Sequence, residues 1–308
     1  MIKKFASFGS LLIISIFLSI VSPQFLTVDN LLSVGLQISV IALLAIGELL
    51  VIITGGIDLS VGSILAFSGV MTSLLLVNGF PISLAILVGL LSGLLLGFIN
   101  GLIISKGKLP PFIATLGMMG IARGASLIIT NGIPLFGLPY EFSYIANSKI
   151  FDIIPIPVII VIIMAILVNF LLKNFSFGRY TYALGGNFEA TRLAGVKVDL
   201  QTIKIYSISG LFSGLGGIIL ASRLSTGQPT AGTGYELDVI AACVIGGASL
   251  SGGSGTILGA MIGALIIGIL RNGCNLLNIS AFWQQIAIGA IIIIAVFIDQ
   301  YKKKFNKE

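Results

Sequence analysis

The sequence contains no histidine and only two cysteines, Cys243 and Cys274. Without imidazole there is no Ser-His-Asp triad, no histidine proton relay and no histidine metal ligand. The cysteines lie in or beside apolar segments without CxxC spacing, so they read as small packing residues. No GxxxxGK[ST] run occurs, which excludes ATP binding through the usual phosphate loop. Charge is scarce as well: 11 acids and 17 bases among 308 residues. So few charges cannot coat a soluble domain of this size.

Apolar residues and glycine fill the space instead. The chain is 56% hydrophobic with a mean hydropathy of +1.13. These values describe an all-α polytopic membrane protein, read as one transmembrane domain over residues 1–308. A helix crossing the hydrocarbon needs about 20 apolar residues. Ten candidate spans follow, at roughly 5–21, 33–54, 60–77, 82–104, 111–131, 154–172, 203–222, 236–248, 255–272 and 279–298. The eighth is short for a crossing and reads as a half-helix or a re-entrant piece.

Lysine and arginine set the orientation. With the N-terminus inside, the inner segments hold thirteen of them and the outer segments three, Lys149, Arg223 and Arg271. Positive-inside asymmetry then places both termini in the cytoplasm. The start "MIKK" before an apolar run could also open a signal peptide. The following "SIVSPQF" is a poor cleavage site, so a retained first helix is expected. The net charge of +6 requires no nucleic acid, because its excess faces the anionic inner leaflet.

Glycine numbers 39, and much of it falls at helical spacing. Gly89, Gly93, Gly97 and Gly101 lie four apart in the fourth span; Gly255, Gly259 and Gly263 repeat the device, and Gly210 and Gly214 begin it in the seventh. Such stripes let apolar helices approach closely where lipid supplies little hydrophobic drive. A second pattern is a repeated break: "GGIDLSVGS" (55–63) and "GGASLSGGS" (246–254) agree at six of nine positions. Asp58 with Ser60, and Ser249 with Ser251, are natural caps for the helices that follow. The pair reads either as two capped turns or as broken helices lining a transport path.

Two charges lie at membrane depth, Glu48 in the second span and Arg123 in the fifth. Such residues normally face protein or water. Their depths differ by only a few residues, so a Glu48–Arg123 brace is expected; exposure of both to a water-filled path is the alternative. Thr115, Asn100, Gln37, Asn169, Gln284 and Gln285 add neutral polar groups at depth. These suit a polyhydroxylated solute better than an ion.

The densest charge inside the chain is "FGRYTYALGGNFEATRLAGVKVD" (177–199), in the cytoplasmic loop at about 173–203. Asn187 is a good N-cap, Glu189 sits in the first turn and Gly195 fits a C′ stop, for a short helix from Phe188 to Ala194. Phe188 and Arg192 share one face with Thr191 beside them. The helix is either a solvated connector or an interface anchor.

"ITGGIDLSVGSI", "PPFIATLGMMGIARGASLIITNG", "GRYTYALGGNFEATRLAGV" and "STGQPTAGTGYELDVIAACVIGGASLSGG" resemble the inner-membrane permeases of bacterial ribose-type ABC importers, from about residue 35 to the end. The resemblance implies a type II importer fold of about ten helices with broken segments, working as a homodimer by alternating access. The cargo expected is a monosaccharide, D-ribose first, with another pentose, a hexose or a nucleoside as the alternative.

The implied partners are a cytoplasmic ATPase, which carries the ATP and magnesium, and an extracytoplasmic sugar-binding protein. The chain itself would be no enzyme and would bind no cofactor or metal. By the resemblance Asn187, Phe188, Glu189, Thr191, Arg192 and Gly195 form the coupling helix that docks on the ATPase. Glu141, Lys149, Asp152, Arg223 and Glu236 are candidates to meet the binding protein. Glu48, Asp58, Ser60, Thr115, Arg123, Ser249 and Ser251 are candidates for the path or for a core brace. A rival of a different class, an ion-coupled secondary transporter, would need a coupling site, for which Glu48 and Asp58 are the acids available.

Overall fold

The computed structural model describes residues 2–151 and 153–305, almost entirely as helix. In chain order the elements are α1 (Ile2–Val21), α2 (Val28–Ile53), α3 (Val61–Val77), α4 (Ile82–Ser105), α5 (Pro111–Thr130) and α6 (Tyr140–Asn147). A two-stranded hairpin of β1 (Lys149–Ile150) and β2 (Ile154–Pro155) follows. Then come α7 (Ile156–Asn174), α8 (Ser176–Gly186), α9 (Phe188–Leu193), α10 (Val198–Leu224), α11 (Tyr235–Ile245), α12 (Ile257–Leu276) and α13 (Ala281–Phe305). The hairpin is antiparallel, with Lys149 opposite Pro155.

Each of the ten expected spans coincides with one of these helices. Among the described residues six, α2, α4, α5, α7, α10 and α12, are long and apolar enough to cross a membrane. The eighth segment is α11, 11 residues long. At 1.5 Å per residue it reaches about 16 Å, half of a ~30 Å hydrocarbon layer. It is a half-helix.

The helix α2 is the core. Every residue from Ile38 to Ile53 is buried, as expected of a helix apolar on all sides and packed all round. Around it stand α10, α12, α11 and α7. Lipid-facing helices such as α4 and α7 expose Leu87, Leu91, Leu95, Ile163, Ile166 and Phe170 instead.

Glycine permits the closest contact of the bundle. The α4 stripe lies on α10: a Cβ on Gly93 would meet the carbonyl of Gly210, one on Gly97 the Cα of Gly210, and one on Gly101 the Cα of Ile203. The opposing atoms are backbone and cannot rotate away. The α12 stripe does the same against α11, with Gly259 on the carbonyl of Gly246 and Gly263 on that of Ala242. Between apolar helices this close packing supplies much of the association.

Gly97→Ala is therefore expected to lower thermal stability in detergent or nanodiscs by the equivalent of about 1–3 kcal/mol, the usual cost of overpacking. Gly117→Ala on α5, where a Cβ meets nothing within 4 Å, should leave the melting temperature unchanged. Equal behaviour of the two variants would contradict the backbone-contact reading.

Candidate functional site

The first break starts where α2 ends. Gly55 takes φ +82°, in the left-handed region that favours glycine, and the chain then folds back along the helix it has just left. The Asp58 N–H donates to Glu48 Oε1 at 3.1 Å, five residues before α2 ends, so α3 begins inside the bundle. Asp58 Oδ1 accepts from the Ser60 N–H at 2.9 Å and from the Ser60 hydroxyl; its Oδ2 accepts from Ser209 Oγ at 3.2 Å. Ser60 Oγ in turn accepts from Asn100 Nδ2 at 2.9 Å. Thr115 of α5 donates to the Ile57 carbonyl at 3.1 Å. Glu48, Asp58, Ser60, Asn100 and Thr115 are all fully buried. Asp58 does serve the start of α3, while Ser60 occupies the N-cap position without a side-chain cap bond of its own.

The second break differs in detail. Gly247, Gly252 and Gly253 all have positive φ. Ser249 Oγ accepts from the Ser251 N–H at a long 3.4 Å, but neither serine caps α12. That role belongs to Thr256, which accepts from the Gly259 N–H at 3.1 Å. The loop runs several residues past "SLS" before the helix begins, so similarity to the first break misplaces the cap.

The two breaks meet in space. The Gly253 N–H donates to the Ile53 carbonyl at 2.8 Å, and a Cβ on Gly252 would lie 2.9 Å from the Gly55 nitrogen. A third glycine closes the junction. Gly185 of α8 sits against the Ile53 carbonyl and the Gly253 nitrogen so closely that no Cβ fits. One turn earlier Tyr182 Oη donates to the Gly255 carbonyl at 2.8 Å. On its other side α8 is tied to α10, where Gln201 Nε2 donates to the Phe177 carbonyl and to Thr181 Oγ1, both at 2.9 Å.

Directly after α8 comes the short helix α9. Asn187 caps it, accepting from the Ala190 N–H at 2.9 Å, and Gly195 stops it with φ +85°. Glu189 and Arg192 pair at 2.8 Å across one turn. Thr191 is not on the exposed face: it is 6% exposed and donates back to the Asn187 carbonyl at 2.7 Å. Leu193, 80% exposed, joins Phe188 and Arg192 on the surface in its place. A groove of about 830 Å³ runs beside α9, lined in part by Lys106, Lys108, Phe188, Arg192 and Asp199. Asp199 holds Lys106 at 3.1 Å and Lys108 at 3.3 Å, joining the α4–α5 connection to the start of α10.

Glu48 and Arg123 do not pair. Arg123 donates to the carbonyls of Pro229 and Ala231 at 2.7 and 2.8 Å, while Glu48 takes the Asp58 amide. Their depths are similar but their helices turn them to different neighbours, and each finds backbone groups left free by irregular chain. The loop 225–234 descends from the end of α10 until Gly232 packs on Gly62 at the start of α3. Glu236 lies there too, its carboxylate against Gly62 and close to Arg123, away from the rim charges with which the sequence grouped it. Glu141 and Lys149 are exposed on the α6 and hairpin segment, and Arg223 is partly exposed in the last turn of α10. Asp152 lies outside the described residues. Asn100, expected only as a neutral polar group at depth, joins the first break through Ser60; sequence reasoning assigned no role to Ser209, Gly185 or Tyr182, nor to the buried Asp238 that accepts from Arg271 at 2.8 Å. The polar pair Tyr206 and Ser209, three apart on α10, and a tyrosine three residues before a glycine on α8 (Tyr182, Gly185) were the available signals.

A family model described as "Branched-chain amino acid transport system / permease component" matches residues 30–296. The chain belongs to this permease family. The permease is 46% identical over 301 residues to the ribose import permease protein of Bacillus subtilis, covering 97% of this chain and 94% of that one. It is 43% identical over 302 residues to the ribose import permease protein of Escherichia coli K12, covering 96% and 92%. It is 40% identical over 303 residues to the D-allose transport system permease protein of the same strain, covering 98% and 93%. No solved structure matches the permease.

The junction makes a contrast between neighbours. Gly185→Ala is expected to lower the melting temperature of the purified permease, because its Cβ meets backbone on two sides. Gly186→Ala, whose Cβ meets nothing within 4 Å, should not. Equal melting temperatures would mean that α8 is not seated between the breaks.

Proposed function

We propose that the chain is the membrane-spanning subunit of an ATP-driven importer for ribose, working as a pair of copies with a separate cytoplasmic ATPase and an extracytoplasmic sugar-binding protein. The observation that carries this reading is the exposed face of α9 joined through α8 to both glycine breaks. Phe188, Arg192 and Leu193 offer an aromatic, a guanidinium and an aliphatic side chain beside a groove, the composition of an interface anchor. Gly185, three residues before α9 begins, lies against the Ile53 carbonyl, so a push on α9 reaches that carbonyl through the end of α8. The inward motion then becomes a change at the start of α3 and α12, and rigid-body rocking of the bundle follows.

Sidedness supports the same assignment. Lys106, Lys108, Arg192 and Lys197 gather around one groove, which on the positive-inside rule faces the cytoplasm, with both termini on that side. ATP and magnesium would be held by the ATPase, since this chain has no phosphate loop. Glu141, Lys149 and Arg223 at the opposite end would meet the binding protein, where rim charges tune encounter more than affinity.

For the cargo, relatives named for sugars align over more than nine-tenths of the chain, which is more specific than a family description that names branched-chain amino acids. Two relatives named for ribose stand above the one named for allose. Exposed Thr230 and Thr233, partly exposed Gln228, and Arg123 beside Glu236 surround the point where the α3 and α11 starts meet. Hydroxyl and amide groups of this kind hydrogen-bond a sugar without trapping it.

The test is uptake of labelled monosaccharides and nucleosides into proteoliposomes holding the permease, its ATPase and its binding protein, with ATP inside or with ion gradients alone. ATP-dependent uptake selective for ribose is expected; uptake driven by a gradient and indifferent to ATP would overturn the reading. Phe188→Ala with Arg192→Glu should leave the permease folded but abolish uptake and co-purification of the ATPase. Normal values of both would place the docking surface elsewhere.

A further inference from the structure

The acids of the first break form a cluster that the transport reading leaves unused. Glu48 and Asp58 are each fully buried and adjacent, joined through the Asp58 amide. Five helices close around them: α2 with Glu48, α3 following Ser60, α4 with Asn100, α10 with Ser209 and Tyr206, and α11 with Cys243. The titratable groups facing Glu48 are Asp58, Tyr206 and Cys243. Among the described residues no lysine or arginine forms an ion pair with either carboxylate; Arg123 and Arg271 are engaged elsewhere.

Hydrogen-bond accounting shows what the cluster lacks. The amide of Asp58, the amide and hydroxyl of Ser60, the hydroxyl of Ser209 and the Nδ2 of Asn100 are all committed as donors. Three buried atoms remain without partners: Glu48 Oε2, Asn100 Oδ1 and Tyr206 Oη. Two of these can only accept, unless Glu48 itself carries a hydrogen. Asn100 is held at the cluster by its bond to Ser60, and Tyr206 Oη lies against Gly56 in the break itself. Two adjacent carboxylates with no counter-charge in an apolar interior each carry a heavy desolvation cost. A buried acceptor left unmatched adds to that cost.

We propose that the Glu48–Asp58 cluster is a buried site for one small monovalent cation, held by oxygens of Glu48, Asp58, Asn100 and Tyr206. A hydrogen ion on Glu48 and a dehydrated sodium ion share this chemistry, since either supplies the missing positive charge and engages Glu48 Oε2. Hard oxygen donors of this kind, carboxylate, amide carbonyl and phenol, suit an alkali cation. The bound cation fastens the break to α2, α4 and α10, so that the re-entrant start of α3 stays at the height of Glu48. This site is independent of what the permease carries.

The experiment uses the full-length permease in lipid nanodiscs, with infrared spectra and thermal unfolding in sodium chloride against choline chloride at equal ionic strength. A carboxylic-acid carbonyl band present in the wild type, lost in Glu48→Gln and shifted in Asn100→Ala, establishes the hydrogen ion. No such band, with a melting temperature that rises with sodium and a rise that is lost in Glu48→Gln and weakened in Asn100→Ala, establishes sodium. Absence of the acid band together with indifference to sodium in the wild type overturns the proposal, as does an acid band that Glu48→Gln and Asn100→Ala both leave unmoved. Because the wild type and Asn100→Ala each give a reading, the test survives a Glu48→Gln variant that does not fold.

Discussion

The carbonyl of Ile53, the last residue of α2, is the point on which the molecule turns. It accepts from the Gly253 N–H at 2.8 Å and lies directly under Gly185. Three chain segments far apart in sequence thus touch backbone to backbone at one helix end. The contact needs glycine because the approach leaves no room for a Cβ on Gly185, and one on Gly252 beside it would lie 2.8 Å from the Gly185 carbonyl oxygen. It also relieves part of the usual problem of a buried helix terminus, whose last carbonyls have no partner within the helix.

From this point the rest of the site can be ordered. Above it the first break folds back to Glu48 and starts α3 inside the bundle. Beside it the second break leads through Thr256 into α12. Below it α8 carries the load to α9 and the exposed side chains of Phe188, Arg192 and Leu193. Broken helices are tolerated in a membrane only where protein or water satisfies the freed backbone groups. Here each break satisfies most of that demand locally, and the bond from the Gly253 N–H to the Ile53 carbonyl ties the two together, so a shift of one is felt by the other. A lever attached at Gly185 would act on both at once.

Much of this was legible in the sequence, for physical reasons that differ by element. Long apolar runs marked the helices because burial and lipid exposure both require them. The cap at Asn187 and the stop at Gly195 were readable because both are local chemistry. The stripes on α4 and α12 were readable because only small residues at helical spacing allow close crossing. The partner of each stripe was not, since spacing on one helix does not say which helix faces it. Depth arithmetic matched Glu48 to Arg123 but held no information on rotation, and the irregular chain at 54–60 and 225–234 claimed both side chains. Similarity between the breaks suggested serine caps, yet the extra residues before Thr256 moved the cap. Thr191 looked exposed because its bond back to Asn187 depends on how α9 is oriented against the bundle.

The central claim is that α8 and the second break form one rigid transmitter between the docking face and the core. The most direct measurement is the distance between spin labels at Ala183 on α8 and Leu258 at the start of α12, both exposed, by pulsed electron resonance. It would be made on the assembled complex with and without ATP. The account predicts one narrow distance, unchanged between the two states. A distance that broadens or moves by several ångströms on ATP binding would contradict it, because α8 would then slide past the breaks instead of carrying them.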